Sequence, residues 1–352
     1  MRRHALLRRA VLLMTITAFL VGSTAGPVLA CGGLIAPNGT INLLRTATLA
    51  GYVDGVEHYV TSFEFAGGGA EFGSIIPLPA IPSKVKRGGD WTLQRLQQEV
   101  APPVRALADG DAATAAGGSL ESAEEILNTS VDALDITILK GGGDEVGLWA
   151  KENGFQLPPD APEVLDFYAS RSPIFMAARF DVQRAERLGR GVGDGIPVHL
   201  VIPTPDPWVP LRILGLGRQA GERIEADVFL LTEEKPSLLP APREEGVVLE
   251  RSEAASELLL RDLRSDKGMK WIPTEDMHLS YLKIDEKAGK LDHDLAIDAT
   301  GTGTPSYVAA GLQVPAIPWR PSNEIQWSLW LGLAMMVGAI WLFLGRTPSR
   351  LR

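Results

Sequence analysis

Apolar and polar residues alternate along much of the chain in the way that half-buried β-strands require. In residues 58–65, every second side chain belongs to one apolar face, which carries Tyr59 and Phe63. Residues 196–202 are almost all apolar, as expected of a strand that is buried on both faces. Because many such strands follow one another at short spacing, the pattern predicts an α+β fold built mostly on antiparallel β-sheet.

Helical spacing of apolar residues interrupts these strands in several places. The spacing predicts helices over residues 91–101, 145–153, 162–169 and 252–263, with a short helix over 123–127. Three glycines at 67–69 separate two strand-like runs, 58–65 and 72–79, and predict that these runs form a β-hairpin. A further strand is predicted over residues 211–216.

An uncharged apolar stretch near the end of the chain stands apart from this pattern. Residues 325–344 rise about 30 Å as a helix, which matches the hydrocarbon core of a bilayer. Arg346, Arg350 and Arg352 follow it, and basic residues favour the cytoplasmic side. The sequence therefore predicts a transmembrane helix over 325–345 and a short cytoplasmic tail over 346–352, with a buried core helix as the alternative.

The first thirty residues have the layout of a secretory signal. Arg2, Arg3, Arg8 and Arg9 precede an apolar run, and small residues end the segment at Ala30. We expect residues 1–30 to be a signal peptide and Cys31 to be the mature N-terminus or a lipidation site. The predicted location is the cell membrane, crossed once, with the N-terminal domain outside the cytoplasm.

The predicted signal peptide and membrane helix set the boundaries of the segments between them. Residues 31–314 are expected to form an extracytoplasmic α+β domain, with an internal boundary near 103–130 or 233–250 as an alternative. Residues 315–324 are rich in proline, which predicts a stiff spacer before the membrane.

Charge narrows the range of partners. The chain has a formal net charge of −9, and the arginines of the two ends contribute +4 and +3, so residues 31–324 carry −16. Such an acidic surface lacks the basic stripe that nucleic acids require, which excludes them as partners. Cys31 is the only cysteine, so no internal disulfide stabilises the domain.

Candidate chemistry is sparse. Asp292, His293, Asp294 and Asp298 form the densest set of residue types that bind metals, and they are weak candidates for a metal site. The alternative is a polar turn before a strand. No spacing in the sequence identifies a catalytic or cofactor-binding residue, and the four histidines of the predicted domain are scattered singly.

Several short motifs together resemble a bacterial family called domain of unknown function 2330. The Cys-Gly-Gly at 31–33 and the Ile-Pro-Leu-Pro at 76–79 are the first two. Trp149, a following Asn-Gly-Phe at 153–155 and Tyr168 continue the match. The remaining blocks lie at 197–200, 210–212, 228–231, 281–283 and 294–295. The resemblance extends over about residues 31–300. It implies an exported protein with a C-terminal membrane helix and no established activity.

Because the sequence predicts a location but identifies no catalytic residue, the function is predicted from the location. The sequence favours a non-enzymatic role in binding, adhesion or envelope assembly, with the lipid bilayer and a cell-surface protein as partners and no cofactor. The alternatives are an envelope-localised hydrolase or metal-dependent enzyme, and a module that binds or senses a small molecule. Small residues spaced four apart, such as Ala334 and Gly338, also permit weak self-association of the membrane helix.

Overall fold

The computed structural model describes residues 33–35, 46–64, 72–101, 125–189, 195–243, 246–314 and 323–344. The predicted signal peptide, Cys31, most of the proline-rich spacer and the basic tail lie outside the described residues. By contacts along the chain, the molecule divides into one unit of Met1–Leu312 and a second of Gln313–Arg352.

Three β-sheets form the first unit. The largest has seven strands in the order β13-β14-β11-β2-β3-β9-β5, and its strands pair antiparallel except for β11 with β2. A five-stranded antiparallel sheet has the order β1-β4-β8-β7-β6, and a three-stranded antiparallel sheet has the order β10-β15-β12. The strands are β1 (Gly33–Ile35), β2 (Thr46–Val53), β3 (Val56–Glu64), β4 (Phe72–Pro77), β5 (Lys84–Arg87), β6 (Glu125–Val131), β7 (Leu134–Lys140), β8 (Ile174–Phe180), β9 (Gly195–Pro203), β10 (Trp208–Val209), β11 (Arg223–Thr232), β12 (Ser237–Leu239), β13 (Val247–Ala254), β14 (His278–Lys287) and β15 (Leu295–Asp298).

Helices pack against these sheets. They are α1 (Thr92–Val100), α2 (Gly143–Glu152), α3 (Ala161–Ala169), α4 (Val182–Arg187), α5 (Glu257–Ser265) and α6 (Tyr307–Ala310), and short 3₁₀ turns lie at Arg212–Gly215 and Ala288–Lys290. α1 and α5 pack on one face of the seven-stranded sheet. α2 and α3 pack on the outer face of the five-stranded sheet. The main apolar core lies between the seven-stranded sheet and the other two sheets, so the unit has four layers in the order helix, sheet, sheet, helix.

This architecture confirms the predicted α+β class with mostly antiparallel sheets. The near-continuous apolar run at 196–202 forms β9, which is buried along most of its length between two neighbouring strands. The predicted helices at 145–153 and 162–169 form α2 and α3, and each presents its apolar residues to the core.

Four local predictions were wrong. The runs at 58–65 and 72–79 do not form a hairpin, because β3 pairs with β2 and β9 while β4 pairs with β1 and β8 in another sheet. Residues 211–216 form a 3₁₀ turn rather than a strand, and β6 begins at Glu125, where a short helix was expected. The helix predicted from residue 252 starts only at Glu257, since residues up to Ala254 pair with β14. For the false hairpin and the late start of α5, pairing with other strands outweighed local propensity, whereas β6 pairs with β7, the next strand along the chain.

The second unit contains a single described helix, α7 (Asn323–Leu344). Ten of its large apolar side chains, from Leu329 to Leu342, are exposed. In the part of the chain that the structure describes, no helix meets both the length and the apolar character needed to cross a membrane.

Candidate functional site

A row of polar side chains crosses one end of the seven-stranded sheet. Glu57 lies opposite Tyr52 in the β2–β3 pair, Tyr52 lies beside Thr232 of β11, and Thr232 lies opposite His278 of β14. Paired residues project from the same face of a sheet, so these four side chains all point toward the main core. We call Glu57, Tyr52, Thr232 and His278 the polar row.

Glu57 is the most unusual member of the polar row. It is 1 % exposed, and neither carboxyl oxygen forms a hydrogen bond of normal geometry with a described residue. The backbone N–H of Trp208 faces the carboxyl and favours its charged form, but burial has the larger effect and raises the pKa of Glu57 to about 8. Glu57 is therefore predominantly protonated at neutral pH.

Tyr52 links the row to the segment that follows β9. Its hydroxyl donates a hydrogen bond to the backbone oxygen of Thr204 over 2.9 Å. Burial raises the pKa of Tyr52, and the acidic groups of Glu57, Asp206, Glu233 and Asp298 raise it further, in that order. This end of the row thus lies in a negative environment.

The other end of the row carries a serine–histidine contact. Ser252 of β13 and His278 of β14 lie on neighbouring strands, and the Ser252 Oγ is 2.9 Å from the His278 Nε2. Burial and the nearby Lys235 lower the pKa of His278, whereas Glu253 and Glu234 raise it. His278 is therefore mostly neutral at pH 7, which is the form that accepts a proton from a hydroxyl.

The spacing of the row argues against one catalytic centre. Glu57 and His278 are on strands three positions apart in the sheet, which separates them by about 14 Å at the usual strand spacing. A general acid and a general base must both reach the reacting atoms within hydrogen-bond distance. The acid at Glu57 and the base at His278 therefore do not act on one bond.

The opposite face of the same sheet carries a histidine pair. The Nδ1 of His58 lies 2.9 Å from the Nε2 of His199, and the His58 ring stacks on Trp271 with 3.9 Å between ring centroids. Burial lowers the pKa of His58 to about 4 and that of His199 well below its usual range, and Lys86 lowers both further. Both rings are thus neutral at pH 7, and one donates its ring N–H to the other.

Gly51 makes this stacking possible. It lies opposite His58 in the β2–β3 pair, and a Cβ atom built on it would be 2.2 Å from the Trp271 ring. Only glycine leaves room for the indole to lie flat on the sheet. The histidine pair is consequently a packed, aromatic contact that the sequence does not reveal, since the two histidines are 141 residues apart.

Asp294 has an environment opposite to that of Glu57. It is fully buried, and its Oδ1 accepts hydrogen bonds from the Tyr168 hydroxyl at 2.8 Å and from the backbone N–H groups of Leu211 and Arg212 at 2.7 and 3.0 Å. Its Oδ2 pairs with the guanidinium of Arg171 at 2.6 Å. The carboxylate is fully satisfied, which identifies it as a structural group that ties α3 and the 3₁₀ turn to β15.

The other weak candidates for a metal site point in different directions. Asp292 is exposed, with its Oδ1 3.5 Å from the Nδ1 of the buried His293. Asp298 accepts hydrogen bonds from the backbone N–H groups of Thr300 and Gly303, which fold the following turn. Among the described residues, no three His, Cys, Asp or Glu side chains are arranged to hold a metal ion.

One sequence signal could have pointed to Glu57: its position in the alternation of side chains between the two faces of β3. It falls two residues before Tyr59 and four before Thr61, so it belongs to the buried face of β3. A carboxyl group in phase with a buried face is unexpected unless it has a partner. The alternation does not reveal all the neighbours of Glu57, because β9 joins β3 from a distant part of the chain.

Residues 27–236 match a family described as an uncharacterised protein conserved in bacteria, domain of unknown function 2330 (DUF2330). The chain belongs to this family. The match ends within the loop that follows β11, so it includes Glu57, Tyr52 and Thr232 of the polar row but not His278. No curated protein matches the chain.

Two solved structures of baculovirus P35 are similar over part of the fold. A mutated P35 after caspase cleavage has a TM-score of 0.40 and 9 % identity, and covers 72 % of this chain and 99 % of its own. The crystal structure of P35 has a TM-score of 0.39 and 9 % identity, and covers 72 % of this chain and 96 % of its own. At these TM-scores the similarity supports no inference about function.

Proposed function

We propose that this member of the DUF2330 family is exported and held at the cell membrane by the segment 325–345, and that its β-rich unit has a non-enzymatic binding role in adhesion or envelope assembly. The observation that carries the proposal is α7, whose large apolar side chains are exposed on all sides between Leu329 and Leu342. Exposed apolar area of this extent is costly in water and is stabilised by lipid or by a partner.

No described helix meets both the length and the apolar character of a membrane span. The anchoring part of the proposal therefore rests on the exposed apolar side chains of α7 and on the absence of charged residues from 325–344. The test is alkaline extraction of membranes from bacteria that express the full chain. We expect the protein to stay in the membrane pellet. Its release into the supernatant would contradict anchoring.

A pair of substitutions on α7 provides the matched control. Leu333→Lys with Val337→Lys places two charges in the apolar segment, at about 2.5–3.5 kcal/mol each at a membrane centre, and should release the protein. Leu333→Ala with Val337→Ala shortens the same side chains without charge and should leave it in the pellet. If the two double variants fractionate alike, the segment is not the anchor.

The binding role is supported by the polar row, whose acid and base are too far apart to share a reaction. Cross-linking on intact cells tests it. Recovery of one abundant protein attached to residues 31–320 is the expected result. Recovery of the free chain alone would favour a small-molecule ligand or an enzyme.

A second candidate function is hydrolysis in the cell envelope, favoured by the 2.9 Å contact between Ser252 and His278. A neutral histidine at this distance can take the hydroxyl proton as serine attacks an acyl carbon. A fluorophosphonate probe labels such a serine. Labelling that is lost in Ser252→Ala and kept in Ser83→Ala, an exposed serine elsewhere, would support the hydrolase, and an unlabelled wild-type chain would exclude it.

A further inference from the structure

The segment 204–209 lies over the buried end of the polar row, and we call it the strap. Its first residue is held to the β2–β3 hairpin by the Tyr52 hydroxyl and by a long bond of 3.4 Å from the Thr204 N–H to the Gly55 oxygen. At its other end, the Pro207 oxygen accepts a 3.0 Å hydrogen bond from the Ile297 N–H, and the buried Trp208 and Val209 form the two-residue strand β10 with β15. Residues 204–206 are therefore the more weakly attached part of the strap.

Glu57 lies beneath this strap, and none of the described residues forms a hydrogen bond of normal geometry with its carboxyl group. Its neighbour in the pairing with β9 is the apolar Ile202, and its neighbour in β2 is Tyr52. The strap contributes the Trp208 N–H, which faces the carboxyl group. A buried carboxyl with so little compensation is stable only in its neutral form.

Among the described residues, no cation affects the pKa of Glu57. Next to Tyr52, the described acidic groups are Asp206 on the strap, Glu233 at the end of β11 and Asp298 at the end of β15, and all of them raise the pKa of Tyr52. For Glu57 itself burial is the main effect, so a negative charge on it would be costly. Contact with water would relieve this cost, and the strap, which is more weakly attached at residues 204–206, is the element that blocks it.

We propose that Glu57 is a proton-binding site that controls the strap: residues 204–209 stay closed over the polar row while Glu57 carries a proton, and they open when the proton is lost. Opening would expose Glu57 and Tyr52 and would leave the rest of the seven-stranded sheet paired. This inference does not depend on the proposed membrane anchor or on the binding role.

The direction of the pH dependence follows from proton linkage. Glu57 has a raised pKa of about 8 in the closed form, and in the open form we expect a value near the ordinary 4.5. The open population should therefore increase about tenfold for each pH unit between pH 5 and pH 8, and level off above that range.

Hydrogen exchange of the full chain between pH 5 and pH 8.5 tests the proposal. After correction for intrinsic exchange rates, the protection of the Trp208 and Val209 amides should fall about tenfold per pH unit, with little change at Val228 in the centre of β11. In Glu57→Gln, which keeps the shape without a titrating proton, the strap amides should show no such slope. Asp206→Asn, an exposed acid on the same strap, should keep the slope of the wild-type chain.

Two results would overturn the proposal: strap protection in the wild-type chain that does not change with pH, or the same slope in Glu57→Gln. If Glu57→Gln does not fold, infrared spectroscopy of the wild-type chain labelled with ¹³C-glutamate gives the second measurement. The band of a protonated glutamic acid should persist at pH 6–7 and disappear together with strap protection. Its absence at pH 6 would refute the proton site.

Discussion

Two buried carboxyl groups, Asp294 and Glu57, lie against opposite ends of residues 204–212, and their environments are opposite. Asp294 holds the downstream end at Leu211 and Arg212, and it has an arginine, a tyrosine hydroxyl and two backbone amides as partners. Glu57 lies under the upstream end and has no such partners. Burial alone therefore does not define the role of a carboxyl group; its partners do.

The difference separates a fixed element from one that can respond to its surroundings. A satisfied buried charge stabilises one geometry, because any movement leaves the charge or its partners without hydrogen bonds. A neutral, unsatisfied acid costs free energy in the folded state whenever the solution favours its ionised form. Residues 204–212 are thus rigidly held at one end and conditionally held at the other.

The largest expected effect comes from removing the satisfied carboxylate. Asp294→Ala leaves Arg171 buried without its partner and should lower the free energy of unfolding by about 3–5 kcal/mol. Urea denaturation measures this loss. Asp292→Ala, two residues away on the surface, is the control and should change the free energy by less than about 0.5 kcal/mol. If both substitutions lowered the free energy of unfolding by the same amount, the structural role of Asp294 would be contradicted.

The next effect concerns the dependence of stability on pH. The folded pKa of Glu57 lies above its unfolded value, so its contribution is fully present below about pH 4.5 and is lost as pH rises toward about 8. The free energy of unfolding of the wild-type chain, relative to that of Glu57→Gln, should therefore fall by about 1.4 kcal/mol per pH unit between these limits.

The comparison with Glu57→Gln is needed because other groups titrate in the opposite direction. The pKa values of His58 and His199 are lowered in the folded state, so their effect makes the protein more stable as pH rises through the range of 4 to 6.5. Both chains share that effect. A difference between them that does not change with pH would show that Glu57 ionises normally.

A smaller effect should distinguish Tyr52 from Tyr168, which form hydrogen bonds near opposite ends of residues 204–212. Tyr168→Phe removes a hydrogen bond to a buried charge and leaves the Ile213 N–H unpaired, and it should cost about 2–3 kcal/mol in urea denaturation. Tyr52→Phe removes one neutral bond to the Thr204 oxygen and should cost about 1 kcal/mol. The reverse order would contradict the distinction between the fixed and the conditional end.

The smallest expected effect is that of calcium. The side chains of Asp292, Asp294 and Asp298 diverge, and Asp294 and Asp298 already accept several hydrogen bonds each. Millimolar calcium should therefore leave the melting temperature of the full chain unchanged in a calorimetric scan. A rise that disappears in Asp298→Asn would restore the metal site that the sequence suggests.

Much of the fold class could be predicted because it rests on local patterns. The alternation in β3, the apolar run of β9 and the amphipathic helices α2 and α3 are properties of contiguous residues. Strand partners could not be predicted, as the false hairpin between residues 58–65 and 72–79 shows. The glycines at 67–69 favour a turn, but they do not specify which sheet the next strand joins.

The candidate site illustrates the same limit more sharply. His58 and His199, Ser252 and His278, and Tyr168 and Asp294 meet across 141, 26 and 126 residues of chain. No spacing in the sequence records these contacts, because each depends on strands or helices that are brought together only when the chain folds.

The sequence by itself determined the α+β class, the acidic character of residues 31–324, the single cysteine and the apolar segment at 325–344. These are properties of composition and short-range periodicity, which persist in any conformation of the chain. Only the tertiary structure decided that Asp294 is a satisfied structural anchor and that Glu57 is a buried acid with no well-formed hydrogen bond from the described part of the chain. The physical reason is that the ionisation of a carboxyl group depends on the solvent and the hydrogen-bond donors around it, and residues distant in the sequence supply them.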